Sequence, residues 1–398
     1  MRVLFTCVPQ SGHVTPLLPL AEAFRQRGDE VLLASGPDVA YTAATLGLAF
    51  RQVGPSFDEW FSGLLQRTRG RPGEGLPPER VAHYFMPRLF GEVGAALVLD
   101  DLMTIAREST PDLLVFDTLM LAGPMVAAAQ GIHGVQHALG PMVDRDVLEL
   151  VADAVSPMWR ELGLAAPRDA GTEAGTTLAI CPSSLDPAAV TVPGLQLLRP
   201  VPLPRGPAAD PARPALLAGL PDHPLVYVTL GTFSNTDLDL FRLLFRALAA
   251  LPVAVVATVG RDNDPADLAP LPSNVRVERF VPQADLLPHC TLVVHHAGAG
   301  TTFGALAHGL PAVAVPRSAD NFTIAQRLAD AGAARTLMPD EVSAASVRRA
   351  VEDVLADAAF AERAASLAGE IAAMPAPDEV AARLAESAGQ LRAAGLPS

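Results

Sequence analysis

Short, uninterrupted apolar runs alternate with helix-like segments along most of this 398-residue chain. Apolar runs that are continuous, rather than alternating with polar residues, are typical of strands covered on both faces, as in parallel sheets built from β-α-β units. The runs lie at 3–8, 31–34, 113–116, 225–230, 253–259, 275–280, 292–295 and 312–315. We therefore expect an α/β fold with doubly wound parallel sheets.

A proline-rich stretch separates the two series of runs. Six prolines lie between residues 200 and 214, a composition that favours an extended, semi-rigid connector. A length of 398 residues also suggests two or three domains, at roughly 150 residues each. The predicted organisation is a first domain at 1–205, a linker at 206–224, a second domain at 225–375 and a terminal helix at 376–398.

Charge and composition exclude several classes of function. The net charge is -14, which has the wrong sign for a protein that neutralises a phosphate backbone, so we expect no nucleic acid partner. All 29 basic residues are arginines. The absence of lysine excludes a P-loop, a Schiff base to pyridoxal phosphate, and lysine-carried biotin or lipoate.

The chain also carries no sign of a membrane or oxidising environment. No stretch reaches the roughly 18 apolar residues of a membrane span, and the first ten residues resemble a strand more than a signal peptide. Cys7, Cys181 and Cys290 lie far apart, which predicts neither a disulfide framework nor a cysteine zinc site. We expect a cytoplasmic protein without a metal.

A glycine-rich turn follows the run 292–295. His296 and the segment from Gly298 to Thr302 lead directly into a helix-like segment. Free backbone N–H groups and the positive end of a helix dipole form an anion site suited to a diphosphate. Gly298, Gly300 and Gly304, with Asp320 downstream, also resemble a dinucleotide-binding fingerprint. A nicotinamide-binding unit usually has this fingerprint in the turn after its first strand, and the turn after run 3–8 lacks it. A nicotinamide-dependent oxidoreductase therefore stays an alternative.

Two further polar residues follow strands of the first series. His13 comes after run 3–8 and Asp117 after run 113–116, so both emerge at the carboxyl edge of the same sheet. A histidine there is a candidate general base, and a carboxylate could hold its tautomer. The alternatives are an exposed loop histidine or helix cap for His13, and a helix N-cap for Asp117.

Large apolar side chains are concentrated between residues 57 and 90, although only 5% of the chain is aromatic. Two interpretations stay open. The segment is either a helix face that packs on the sheet, or an apolar wall over a ligand cleft.

Five separated motifs occur in an order that resembles a known family. They are the segment from Gly12 to Pro16, Gly231-Thr232, the segment from Phe280 to Gln283, the segment from His296 to Thr302, and Asp320-Asn321. Together they resemble glycosyltransferase family 1, in particular the actinobacterial enzymes that attach deoxysugars to natural products. The resemblance implies the GT-B architecture, in which two Rossmann-like domains face each other across a cleft and the terminal helix crosses back to the N-terminal domain.

The resemblance also implies roles for individual residues. His13 would be the catalytic base, supported by Asp117. The nucleotide sugar would contact Gly12, Gly231, Thr232, Phe280, Val281, Gln283, His296, Gly298, Ala299, Gly300, Thr301, Thr302, Asp320 and Asn321. The acceptor would contact Trp60, Phe61, Phe85, Met86, Phe90, Met120, Met142 and Phe322.

Two departures from the family pattern point to a particular donor. Gly304 stands where many members carry an acidic residue that holds the ribose, which fits thymidine diphosphate because its ribose lacks a 2′-hydroxyl. Asn321 replaces a common glutamine beside Asp320, which favours a deoxysugar. The predicted reaction is inverting, metal-independent transfer of a deoxysugar from a dTDP-sugar to a hydroxyl of a hydrophobic aglycone, without a further cofactor.

Alternatives to this function are the oxidoreductase, a glycoside-binding auxiliary protein without catalysis, and a sugar-nucleotide epimerase. The oligomeric state stays open, with a homodimer as one option.

Overall fold

The computed structural model describes residues 1–69, 73, 75–202, 215–231, 235–260, 263–318 and 320–393. These residues form two compact units. The first unit contains Met1–Ser183, Pro187–Arg199 and the segment from Met374 onward, and the second contains Ser184–Asp186 and Pro200–Ala373. Of the predicted linker, 206–214 lies outside the described residues.

The first unit is built on a seven-stranded parallel sheet. Its strands are β1 (Arg2–Thr6), β2 (Glu30–Ser35), β3 (Ala49–Gln52), β4 (Leu113–Asp117), β5 (His133–His137), β6 (Thr176–Ala179) and β7 (Leu195–Leu197). The strand order is β3-β2-β1-β4-β5-β6-β7, so the chain reverses its direction of progress between β1 and β4. Ligands of open α/β sheets bind at such a switch point, outside the carboxyl ends of the strands.

Helices cover this sheet. They are α1 (Ser11–Gln26), α2 (Ala40–Thr45), α3 (Phe57–Arg67), α4 (Pro78–Phe85), a π-helix (Met86–Ala95), α5 (Ala96–Ser109), α6 (Ala122–Gln130), α7 (Arg145–Glu161) and α14 (Pro377–Ala393), with short 3-10 turns at Pro37–Val39 and Pro187–Thr191. The terminal helix α14 packs against α1 within this unit.

Helix α1 begins earlier than the sequence indicated. Proline is favoured in the first turn of a helix, so Pro16 predicts a start near residue 16, but the helix begins at Ser11 and contains both Pro16 and Pro19. Proline lacks an N–H, so Pro16 deprives only the Gly12 carbonyl of its donor, close to a helix end. The earlier start places His13 on the first turn of the helix.

The core of the first unit contains two residues that the sequence had assigned to the acceptor pocket. Trp60 and Met120 are each 1% exposed and belong to the apolar cluster around β4 and α5. Gly94 of the π-helix lies against the Trp60 indole, where a Cβ would overlap the ring. Helices packed over the sheet bury these two side chains, so neither presents a surface to an acceptor in this structure.

The second unit has a six-stranded parallel sheet. Its strands are β8 (Leu225–Thr229), β9 (Ala254–Thr258), β10 (Val275–Glu278), β11 (Leu292–His295), β12 (Ala312–Ala314) and β13 (Ala334–Thr336), in the order β10-β9-β8-β11-β12-β13. Its helices are α8 (Leu238–Leu248), α9 (Gln283–Leu286), α10 (Ala299–Ala307), α11 (Asn321–Asp330), α12 (Ala344–Ala356) and α13 (Ala358–Ala373), with 3-10 turns at Ala215–Leu217, Pro265–Leu268 and Leu287–His289. The switch point lies between β8 and β11.

Each predicted apolar run overlaps a strand, and both sheets are parallel, so the predicted α/β fold class is confirmed. Strands β3, β5, β6, β7 and β13 were not predicted. In the part of the chain that the structure describes, every helix is too short or too polar to cross a bilayer.

Candidate functional site

His13 and Asp117 meet at the switch point of the first unit. His13 lies on the first turn of α1, directly after β1, and Asp117 is the last residue of β4. The His13 Nδ1 atom is 3.3 Å from the Asp117 Oδ1 atom, with the histidine side chain 12% exposed and the aspartate fully buried. The two atoms are at ion-pair distance without the alignment of a hydrogen bond. Such alignment often tightens only when substrate binds.

The Asp117 carboxylate also organises the surrounding backbone. Its Oδ2 atom accepts the Val8 N–H at 2.7 Å, and its Oδ1 atom accepts the N–H groups of Leu119 at 2.7 Å and Met120 at 3.1 Å. These bonds hold the carboxylate in one orientation without a cation. The carboxylate thus orders the turn between β4 and α6 and faces His13, but it is not the N-cap of α6, which is Leu121.

Two buried groups adjoin this pair. The pKa of the Cys7 thiol is raised, mainly by burial and further by the Asp117 charge, so this cysteine is unreactive. His137 pairs with Asp117 in the β4–β5 register, and burial lowers its pKa to about 4. His137 is fully buried, whereas part of the His13 side chain is accessible.

The π-helix brings an aromatic side chain to His13. The ring centroids of Phe90 and His13 are 6.2 Å apart. Phe85, Met86 and Phe90 are half-buried on the apolar core, so part of each side chain is accessible. A π-helix is a rare geometry that is frequently found at functional sites.

The other predicted acceptor residues are more dispersed. Phe61 is exposed on α3, and Met142 is half-buried in the segment between β5 and α7. Phe322 is half-buried on α11 of the second unit. Phe90 is therefore the residue of this set whose ring packs near the His13 ring.

The second unit presents an open helix N-terminus at its own switch point. Helix α10 begins after Gly298, has no side-chain cap and carries no acidic residue in its first turn. The Thr302 N–H donates the first hydrogen bond of the helix, to the Gly298 carbonyl. The N–H groups from Ala299 to Thr301 come before this bond and have no acceptor within the helix. This arrangement attracts an anion by hydrogen bonding and by the helix dipole.

The imidazole of His296 lies between two glycine backbones at this N-terminus. A Cβ on Gly231 or on Gly298 would overlap the ring, and Gly231 also has a φ of +72°. Burial lowers the pKa of His296 to about 4, while a hydrogen bond with the Thr229 backbone opposes the shift. His296 is therefore neutral at pH 7, and its Nδ1 atom has no partner among the described residues.

A polar pair lies beside the first turn of α10. The Gln283 side-chain amide donates to the Thr301 hydroxyl at 3.0 Å. Below it, the Tyr227 and Thr258 hydroxyls are 2.7 Å apart. Phe280 is 56% exposed and Val281 packs against the adjacent apolar cluster. The predicted residues from β10 to α9 and those of α10 thus occupy one region.

The remaining predicted donor residues differ in their surroundings. The Thr302 hydroxyl is buried and has no hydrogen-bond partner among the described residues. Asn321 is buried at the start of α11, with its amide 3.5 Å from the Asp320 carboxylate. Gly12 lies in the first unit, one residue from His13, and Thr232 lies outside the described residues.

Sequence reasoning missed three buried polar residues beneath these sites. His137 and His295 end strands and are fully buried, and Tyr227 is 1% exposed in β8. A histidine that ends a continuous apolar run, as His295 does, was the available signal. No such signal marked His137, because its strand, β5, is not a continuous apolar run.

Comparison with known proteins identifies the chain. L-Demethylnoviosyl transferase of Streptomyces niveus is 35% identical over 393 residues, which cover 97% of this chain and 98% of the relative. The chain belongs to the actinobacterial natural-product glycosyltransferases. Elloramycin glycosyltransferase ElmGT of Streptomyces olivaceus is 32% identical over 96% of this glycosyltransferase and 97% of ElmGT. Residues 242–387 match the family described as erythromycin biosynthesis protein CIII-like, C-terminal domain.

Solved structures agree with this identification. The Streptomyces sp. SF2575 glycosyltransferase SsfS6, complexed with thymidine diphosphate, has a TM-score of 0.78 at 28% identity and covers 97% of this glycosyltransferase and 99% of SsfS6. Glycosyltransferase VinC in complex with dTDP has a TM-score of 0.76 at 28% identity, over 98% of this chain and all of VinC. The two parallel-sheet units are those of a GT-B glycosyltransferase, as predicted, and family membership favours the transferase over the oxidoreductase.

Proposed function

We propose that this glycosyltransferase transfers a deoxysugar from a dTDP-sugar to a hydroxyl of a hydrophobic natural-product aglycone, with inversion and without a metal. The observation that carries the proposal is the contact between His13 and the buried Asp117 carboxylate at 3.3 Å. Relatives add support, since one is named aclacinomycin-T 2-deoxy-L-fucose transferase and two similar structures hold thymidine diphosphate.

His13 is the general base in this mechanism. With Nδ1 turned to Asp117, the Nε2 atom is left to accept the proton of the acceptor hydroxyl. The acceptor oxygen then attacks the anomeric carbon from the face opposite the diphosphate, and the bond between that carbon and the diphosphate oxygen breaks. Asp117 stabilises the imidazolium that forms and fixes the tautomer of the neutral ring.

The first turn of α10 stabilises the leaving diphosphate. Its free N–H groups and the Thr302 hydroxyl are donors without a partner among the described residues. They interact most strongly with the diphosphate as its negative charge develops. A lysine-free chain can thus stabilise this leaving group with dipoles and hydroxyls.

The surroundings of Gly304 support a thymidine nucleotide. A Cβ at Gly304 would lie 3.3 Å from Leu287 and 3.5 Å from the Gln283 amide oxygen, so this side of α10 offers an apolar group and a neutral amide. Gly304 itself provides no carboxylate that could bind a 2′-hydroxyl. The proposed donor therefore carries a 2′-deoxyribose.

The donor assignment predicts a selective stabilisation. We expect dTDP, at about 100 times its Kd, to add about 2.7 kcal/mol of apparent stability, because it binds only the folded protein. The measurement is a calorimetric melting scan with dTDP, UDP, GDP and NAD at matched concentrations. Equal stabilisation by UDP would contradict the thymidine assignment, and stabilisation by NAD alone would contradict the proposed function.

The acceptor assignment predicts an effect at Phe90. We expect Phe90→Ala to raise the acceptor KM about tenfold. An apolar acceptor would cover part of the Phe90 ring, and burial of that part contributes about 1.4 kcal/mol to acceptor binding. Steady-state kinetics with varied acceptor measures this change. Tyr41→Ala is the control, because Tyr41 is 73% exposed and lies in none of the predicted sites. An unchanged acceptor KM in Phe90→Ala would assign Phe90 to the core alone.

A further inference from the structure

His295 is a fully buried histidine with no part in the proposed chemistry. It ends β11, one residue before His296, and its side chain is 0% exposed. Burial, together with the neighbouring His296, lowers its pKa to about 3, so the ring is neutral at any working pH. A buried polar ring in a sheet of Val and Leu residues requires a reason other than apolar packing.

One hydrogen bond gives His295 a defined role in the local backbone. Its Nδ1 atom accepts the Ala297 N–H at 3.0 Å. Because Nδ1 is the acceptor, the neutral ring carries its proton on Nε2. The bond therefore joins the two residues on either side of His296.

Ala297 adopts a conformation that its own side chain disfavours. Its φ is +63°, in the left-handed region that residues with a Cβ rarely occupy. The turn at Ala297 sets the direction of the chain between β11 and the Gly298 cap of α10. It also fixes the His296 ring, which has no space to move toward the Gly231 or Gly298 backbone.

We propose that His295 is a positioning residue that locks the left-handed turn at Ala297 and so aims the α10 N–H groups and His296 at the diphosphate of the nucleotide. This inference rests on the proposed function, because it assigns the anion site to that diphosphate. Loss of the hydrogen bond between His295 and Ala297 leaves the buried Ala297 N–H without an acceptor. It also removes the contact that opposes relaxation of the left-handed turn.

A matched pair of amide variants isolates the hydrogen bond. In His295→Asn the amide oxygen takes the place of Nδ1, whereas in His295→Gln it lies one carbon further along the side chain. We expect His295→Asn to bind dTDP within about threefold of the wild type and His295→Gln to bind it about tenfold more weakly, as loss of one buried hydrogen bond implies. Isothermal calorimetry on the full chain measures the Kd, and circular dichroism verifies that each variant is folded.

A second substitution tests the turn itself. Ala297→Gly removes the side chain that disfavours a positive φ, so we expect it to restore part of the dTDP affinity in the His295→Gln background and to change the wild type little. If His295→Gln does not fold, the comparison is made between the single variant His295→Asn and the double variant that combines His295→Asn with Ala297→Gly, whose affinities should agree.

The outcomes separate this inference from the proposed function. Equal dTDP affinity of the wild type, His295→Asn and His295→Gln would overturn the inference alone. A glycine at 297 that fails to restore any affinity would overturn the role of the turn. A wild-type protein that binds neither dTDP nor any other nucleoside diphosphate would overturn the proposed function as well.

Discussion

Replacement of His13 by alanine is expected to lower kcat/KM about 10² to 10⁴-fold, the range typical for loss of a general base. The physical reason is that the acceptor hydroxyl then has no group to take its proton as it attacks. Binding of dTDP should change little, because dTDP carries neither the acceptor hydroxyl that His13 deprotonates nor the sugar that is transferred. Transfer kinetics and calorimetric titration with dTDP provide the two measurements.

A second histidine of the same unit provides the control. His83 on α4 is paired with Asp146 at 2.6 Å and has no contact with Asp117 among its described interactions. We expect His83→Ala to keep kcat/KM within about threefold of the wild type, as is usual for substitutions away from a site of chemistry. Full turnover in His13→Ala would remove this residue from the mechanism.

Asp117→Asn should reduce both stability and turnover. The carboxylate accepts three backbone N–H groups in a fully buried site, and an amide replaces one acceptor oxygen by a donor. A buried N–H is then left unpaired, which lowers the free energy of unfolding by about 1 to 3 kcal/mol. Turnover should fall about 10²-fold or more, since the imidazolium of His13 loses its counter-charge.

The two tryptophans make the stability part measurable in one unit. Trp60 and Trp159 are the only tryptophans of the chain, and both are buried in the first unit. Tryptophan fluorescence during urea unfolding therefore reports on the unit that contains Asp117.

An aspartate at the other end of β4 is the matched control. Asp112 accepts the Arg2 N–H at 2.7 Å in an exposed position, so Asp112→Asn should change stability by less than about 1 kcal/mol. If Asp117→Asn is no less stable than Asp112→Asn, the three backbone contacts do not stabilise the unit as described. If it keeps wild-type turnover, Asp117 does not support His13.

Two of the strands that the sequence did not predict, β5 and β6, bury polar side chains, whereas β3, β7 and β13 are short edge strands with few buried residues. Strand β5 buries Gln136, whose amide donates to the Thr118 hydroxyl at 3.1 Å and whose oxygen accepts from Thr177 of β6 at 3.3 Å. Patterns of apolar residues detect burial by the hydrophobic effect. They do not detect a strand whose buried side chains are polar and satisfy one another across the sheet.

The candidate site was predictable only in part, for a related reason. Strand direction alone placed His13 and Asp117 at one edge of the sheet, because the carboxyl ends of parallel strands lie together. Which aromatic residues surround them was not predictable. Trp60 and Phe90 come from the same apolar segment, yet one lies in the core and the other lies beside His13.

The sequence by itself determined the α/β class, the two series of strands, and the edges from which the histidine, the aspartate and the glycine-rich turn emerge. These features depend on local periodicity and chain direction, which neighbouring residues encode. Only the tertiary structure decided that the Asp117 carboxylate meets His13, that Trp60 is buried by the π-helix, and that His295 is hydrogen-bonded to Ala297. Those outcomes depend on how helices and strands distant in sequence pack together, and on which buried polar atoms find a partner.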